Sequence, residues 1–327
     1  MKRKTLIRGL AAAACAATLG VLPSLAAAQG AYPNRTVVVL SPGAAGGFTD
    51  TVSRLIALGL TERWKLPVVV ENRPGAGGTI GGAWAARQPA DGYMLFLSNT
   101  ASDVLSPAIY KKIDYNSLTD FDPVILAVKT PVVLAANMDF PATSVKELIT
   151  LAKARPGTIN FGYPGNGSTG HLAGALFSSL AGVELSPVPY KGTPEIMGNI
   201  INGSIQLTFD NAGLWAPQIK SGRVRPLAVS SLKRSSLLPD VPTLNEAGLT
   251  GYEAVTFAGI SVPKGTPREI IDKVNRDIQA VIDGPDFRAK MAGGEVVTSS
   301  PESYRQFLMA EQAKWGAVVK QVGLRID

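Results

Sequence analysis

Between Arg35 and Val319 short apolar runs alternate with stretches in which apolar residues recur every three or four positions. The runs predict strands at Thr36–Leu40, Pro67–Glu71 and Tyr93–Leu97, and the periodic stretches predict helices at Thr49–Leu60 and Thr79–Arg87. The layout then repeats: strand Ile159–Gly162, helix His171–Leu180, strand Ser186–Pro189, helix Pro194–Asn202, strand Ile205–Phe209. Val52, Leu55, Ile56 and Leu60 share one helix face, as do Leu172, Leu176, Phe177 and Leu180, and both stripes read as core. Two such βαβαβ units predict an α/β chain with two lobes, each built on a mostly parallel sheet flanked by helices.

The remaining pattern predicts a connecting strand around Val124–Val128, a capped helix at Ser144–Ala154, strands Arg225–Val229 and Thr256–Val262, and helices Pro267–Ile282 and Pro301–Val319. Ser300 followed by Pro301 is a strong helix start. Because the last helices follow the second unit, they are expected to return to the first lobe. Lobe 1 is then residues 29–126 with 252–327, and lobe 2 is residues 127–251.

Each unit opens with a glycine-rich turn between strand and helix, "SPGAAGGFTD" from Ser41 and "PGNGSTGH" from Pro164. Such turns offer free backbone N–H groups at a helix N-terminus, and glycine lets a ligand approach closely, which suits carboxylate as well as phosphate. The third strands end in Ser98-Asn99-Thr100 and Asp210-Asn211. Ligands of open parallel sheets lie beyond the carboxyl ends of strands, so turns and polar ends should meet at a cleft between lobes. Asp50, in the first turn of its helix, reads as a capping residue. Asp210, a carboxylate ending an apolar strand, reads as a site residue that orients water, receives an amino group or closes the hinge. A further turn, Glu71–Gly82, suits a connection and a cleft wall equally.

Several chemistries fall away. Gly165–Gly170 matches G-x-G-x-x-G, but the next strand ends at Tyr190-Lys191 without the acidic residue that binds a ribose. Neither a P-loop nor a G-x-S-x-G elbow occurs. Ser168 and His171 are close, but as local neighbours at a helix start. His171 is the only histidine, so histidine-rich metal sites are excluded; no metal or cofactor is expected.

The first residues change the picture of compartment and charge. Lys2, Arg3, Lys4 and Arg8 precede an apolar stretch, Leu10–Leu25, and Ala26-Ala27-Ala28, which together predict a Sec-type signal peptide over residues 1–28, cleaved near Ala28-Gln29, and a periplasmic protein. The stretch is short for a membrane anchor and is interrupted by Pro23. Four of the 32 Lys and Arg lie in it, leaving 28 against 25 Asp and Glu, so the formal charge falls from +7 to +3, too mild to argue for nucleic acid. The sole cysteine, Cys15, leaves with the signal, and with it any disulfide or thiol chemistry.

The blocks "YPNRTVVVLSPGAAGGFTDTVSRLIA", "VVVENRPGAGGTIGG", "ADGYMLFL", "GNGSTGHLAGALF", "VPYKG", "FDN", "LAVSSLKRSSLLPDVPTLNEAGLTGYE" and "PKGTP" occur in order from Tyr32 to Arg325. Together they resemble the periplasmic substrate-binding proteins of the tripartite tricarboxylate transporter group, the Bug-type receptors. The resemblance implies a two-lobed, monomeric, non-enzymatic binding protein that closes on a small organic carboxylate and presents it to a two-component membrane permease. It implies that the carboxylate is held by backbone groups and ordered water between Gly43, Ala44, Ala45, Gly46, Gly47, Phe48 and Thr49 on one side and Gly165, Asn166, Gly167, Ser168, Thr169 and His171 on the other. Asp210 then lies at the far strand end, with Ser98, Asn99, Asp103 and Tyr190 around the ligand body. Phe48 and Asp103 depart from the usual family pattern; Asp103, if it faced the cleft, would repel a second carboxylate. Two other functions share these residues: a ligand-sensing module for a membrane sensor kinase, and a periplasmic hydrolase using Ser168 and His171.

Overall fold

Val37, Val39 and Leu40 are fully buried, and the strand they form, β1 (Val37–Ser41), starts a computed structural model that describes residues 32–291 and 293–323. The predicted signal peptide and Cys15 lie outside the described residues. There follow α1 (Phe48–Trp64), β2 (Val68–Asn72), α2 (Thr79–Ala85), β3 (Met94–Asn99), α3 (Ser106–Ile109), β4 (Phe121–Asn137) and α4 (Val145–Ala154). The second unit is β5 (Asn160–Tyr163), α5 (Thr169–Ala181), β6 (Ser186–Pro189), α6 (Thr193–Ile201), β7 (Leu207–Asn211), α7 (Ala212–Lys220) and β8 (Val224–Val229). The chain ends with β9 (Val255–Pro263), α8 (Arg268–Ile282), α9 (Pro285–Lys290), β10 (Glu295–Val296) and α10 (Pro301–Val322).

The main strand order is β2-β1-β3-β9-β4-β7-β5-β6. Pairing is parallel within each βαβαβ unit, as β2-β1-β3 and β6-β5-β7. It is antiparallel where β9 and β4 join the units, so the sheet is mixed rather than mostly parallel. β4 is the join. Phe121–Pro131 pairs with β9, and Val132–Asn137 pairs with β7 and β8. Pro131, which has no N–H to donate, stands at the changeover.

Most predicted elements match those observed to within a few residues. The short connecting strand is instead the 17-residue β4, whose second half is apolar and buried throughout. Helix α7 is an addition: Pro217 lies inside it and breaks the helical pattern in the sequence. The return of the C-terminal segment is visible in β9, which pairs with β3, and in α10, whose Tyr304 hydroxyl donates to Ser98 Oγ at 2.8 Å.

Gly259, in the middle of β9, shows how tight the join is. A Cβ there would lie 2.5 Å from the Ile125 carbonyl oxygen and 2.6 Å from the Tyr304 hydroxyl. Gly259→Ala should therefore cost about 1–3 kcal/mol in urea unfolding. Gly198→Ala, in α6 where a Cβ meets nothing within 4 Å, should be neutral or stabilise by about 0.5–1 kcal/mol.

Candidate functional site

The carboxyl ends of β1, β5 and β7 and the helices that follow them surround a cavity of about 780 Å³. Its walls include Gly43, Ala44, Ala45, Gly47, Phe48 and Thr49 from the first glycine turn, and Gly165, Asn166, Ser168 and Thr169 from the second. Asn99, Tyr190 and Asp210 complete the predicted residues that the fold brings there.

In the first turn, Gly47 is the N-cap of α1 and no side chain accepts from the first helical N–H groups. These donors, with the positive end of the helix dipole, are left for a ligand. The turn is held from behind by Asp50. One carboxylate oxygen accepts from Gly46 N–H and from Arg54 Nε, each at 2.9 Å, and the other from Asn72 Nδ2 at 2.9 Å. Asn72 Nδ2 also donates to the Gly43 carbonyl at 3.1 Å. Burial pushes the Asp50 carboxyl up, but hydrogen bonds from Arg54, Gly46 and Asn72 outweigh it and hold the group below its ordinary value. Asp50 is thus a brace for the turn. Gly46 is off the cavity wall, its N–H committed to that brace.

The second turn has a brace of two rings. His171 Nδ1 accepts from Gly167 N–H at 3.3 Å, and the imidazole stacks on Tyr163 with centroids 4.3 Å apart and planes 6° from parallel. The Tyr163 hydroxyl donates to Asn166 Oδ1 at 2.8 Å. Ser168 Oγ accepts from His171 N–H at 3.2 Å and caps α5. Burial lowers the imidazole to about 4, so the ring stays neutral and Nδ1 remains an acceptor. His171 and Gly167 therefore stand behind the wall: His171 faces a separate hollow with Phe161 and Leu185, and Gly167 packs against α3, where a Cβ would lie 2.8 Å from Ile109.

Two further corrections concern β3 and the turn that follows it. Asn99 faces the cavity, so its neighbour Ser98 points to the opposite side of β3, where it is fully buried against Tyr304. Asn99 Oδ1 accepts from Ala101 and Ser102 N–H, leaving its NH2 group on the wall. Asp103 lies on the single π-helical turn Ala101–Leu105 and is fully buried behind the site. Its Oδ2 accepts from Asn99 N–H at 3.0 Å and Ser102 Oγ at 2.5 Å, while Oδ1 is buried without a partner. Burial pushes this carboxyl up to about 6. Asp103 is absent from the cavity wall, so it does not face the cleft as the repulsion of a second carboxylate required.

Asp210 does line the cavity, but its oxygens are engaged within the protein, with Asn211 N–H at 2.7 Å and Trp215 Nε1 at 3.0 Å. Burial raises its carboxyl; the Thr193 hydroxyl, Trp215 and Asn211 N–H oppose that rise. Sequence reasoning missed Tyr110, Lys191–Glu195 and Leu214 as wall residues, and left the turn at Pro74–Gly78 undecided between connection and wall. The wall role of that turn follows from glycine: a Cβ on Gly77 would lie 3.4 Å from the Asn166 carbonyl oxygen, so the two turns approach each other closely. Among the described residues no group of three or more His, Cys, Asp or Glu is placed to hold a metal ion.

The model of the family described as "Tripartite tricarboxylate transporter family receptor" matches residues 52–324. Protein BugT of Bordetella pertussis is 33% identical over 95% of this chain and 95% of its own length. Two solved structures from Rhodopseudomonas palustris are similar in fold and sequence. Rpa4515 with adipate has a TM-score of 0.86 and 35% identity over 90% of this chain and 99% of its own. MatC with bound malate has a TM-score of 0.83 and 30% identity over 88% and 100%.

His171 and Asp103, two buried titratable groups, have opposite pH dependences. An imidazole kept neutral in the fold gains its proton only on unfolding, so stability falls as pH drops from 6.5 toward about 4. Between 3.8 and about 6 the folded chain keeps an Asp103 proton that the unfolded chain releases, so there stability falls as pH rises. Each effect is of order 3 kcal/mol, and in the wild type they offset. Urea unfolding between about pH 4.5 and 6 should show His171→Asn losing stability relative to wild type as pH rises, and Asp103→Asn gaining it. Curves parallel to wild type would contradict both assignments.

Proposed function

The chain belongs to the tripartite tricarboxylate transporter family of receptors, and on that premise we propose that it is a periplasmic receptor that captures a small organic carboxylate and hands it to a two-component membrane permease. The observation that carries the reading is the uncapped first turn of α1, facing the turn of α5 across one cavity. A carboxylate there receives backbone donors without meeting a competing side-chain cap. The adipate and malate bound by Rpa4515 and MatC support the same ligand class.

Closure of lobe 1, residues 29–126 with 252–327, on lobe 2, residues 127–251, would exclude bulk water, because a ligand touching both lobes binds the closed state better. The protein acts as a monomer and performs no catalysis. Ser168 Oγ caps a helix through His171 N–H, and the imidazole Nδ1 accepts from Gly167, so the pair has no nucleophile–base arrangement. The export signal at residues 1–28 delivers the chain to the periplasm.

A thermal-shift screen of the mature protein tests the reading. A bound acid at about a hundred times its Kd should raise Tm by roughly 5 °C, and the matching uncharged amide should not. Gly47→Val, which sets a side chain before the α1 N–H groups, should abolish the shift while leaving the unliganded protein folded. A screen in which amides shift Tm as well as acids do, or in which Gly47→Val responds normally, contradicts it.

A further inference from the structure

The cavity is unevenly equipped for negative charge. Five of the described helices begin at it: α5 and α7 are capped by Ser168 and Asn211, and α2 starts at Gly78, its Thr79 N–H bonded to the Ala76 carbonyl. α6 begins with Gly192 as cap and Pro194, which has no N–H, in its first turn. Its Glu195 N–H is bonded to the Gly192 carbonyl, and the Glu195 carboxylate accepts from Lys191 N–H at 3.1 Å. That end of the cavity therefore already carries an anion, and Asp210 adds a second carboxyl to the same lobe's wall. Lys191 is the only Lys or Arg among the wall residues; it and Glu195 are both exposed to water. α1 offers an uncapped first turn whose own acidic residue, Asp50, is already paired, to Arg54.

Three aromatic rings stand on the same wall, among small and apolar residues such as Ala44, Val132 and Leu214. Phe48 comes from α1, Tyr110 follows α3 and Tyr190 follows β6. The Pro74–Gly78 turn and the second glycine turn close over Tyr110: a Cβ on Gly77 or Gly167 would lie 3.6 or 3.7 Å from its ring. Neither phenol O–H, of Tyr110 or of Tyr190, has a hydrogen-bond partner among the described residues.

We propose that this cavity selects a monocarboxylate with an aromatic body, with or without a neutral hydrogen-bonding substituent, over a dicarboxylate of the same length. The inference rests on the carboxylate-receptor reading above. The ligand carboxylate sits on the α1 turn, its ring lies among Phe48, Tyr110 and Tyr190, and a hydroxyl at the far end meets a phenol. A second carboxylate at that end would give up its water beside two carboxyl groups, Glu195 and Asp210, with one lysine to answer them.

Titration calorimetry of the mature protein with benzoate, 4-hydroxybenzoate, terephthalate and adipate tests this, with benzamide as the uncharged probe. Benzoate or 4-hydroxybenzoate should bind at least tenfold tighter than terephthalate or adipate, and benzamide should not bind. Glu195→Gln should narrow the benzoate-to-adipate ratio at least threefold by strengthening adipate. Phe48→Ala should narrow it by weakening benzoate. Adipate or terephthalate binding as tightly as benzoate, or an unmoved ratio in both variants, overturns the selectivity while leaving the receptor reading intact. Failure of all four acids to bind overturns this inference, while the thermal-shift screen with a wider set of acids and Gly47→Val decides the receptor reading separately.

Discussion

One strand, β4, belongs to both halves of the sheet, and the geometry of the site follows from that sharing. Its first eleven residues, Phe121–Pro131, pair with β9 and its last six, Val132–Asn137, with β7 and β8. Each half-sheet adds its own parallel unit beyond this spine, so the carboxyl ends of β1 and β7 come to one cavity. The spine leaves little room for error. Gly259 is bare because the Ile125 carbonyl and Tyr304 occupy the space a side chain would take. The cavity wall at Val132 lies just past the proline where β4 changes partner.

On this frame the two cavity-lining glycine turns are held by different physics. The first is braced by a charge: Asp50, kept ionised by Arg54 and Asn72, fixes Gly46 N–H and so presents α1 with its first turn open. The second is braced by neutral rings, His171 on Gly167 N–H and Tyr163 on Asn166, stacked on one another. Asp50, His171 and Tyr163 are absent from the cavity wall, which leaves the backbone N–H groups of α1's first turn uncovered there. A site of this kind recognises an anionic head through geometry and leaves the choice of body to the surrounding side chains.

The periodic signals of both βαβαβ units, and the glycine turns between their strands and helices, were legible because pattern and turn chemistry agree there. Where a local rule was missing, the sequence was silent. Nothing in "VKTPVVLAAN" announces that a strand continues through Pro131 with new partners, since partner choice is a property of the assembled sheet. The sidedness of Ser98 and Asn99 follows from strand period once their common strand is known to run through Asn99. Asp103 escaped because a π-helical turn re-aims it, and residue type gives no sign of such a turn. His171 was placed in the right turn but on the wrong side of it: a buried imidazole can serve a ligand or the turn itself, and only the Gly167 contact decides. Lys191 and Glu195 belonged to recognisable stretches, yet their value lies in standing at one cavity end, a fact of three dimensions.

The central claim is that a carboxylate docks on the open first turn of α1. Backbone amide shifts of the isotope-labelled mature protein, followed while benzoate is added, test it most directly. The account predicts that the Phe48 and Thr49 amides move farthest and downfield, as expected when N–H groups gain an anionic acceptor, with Thr169 moving next. Largest shifts at the hollow beside His171, or at Leu58 and other residues remote from the cavity, with Phe48 and Thr49 unmoved, would contradict it.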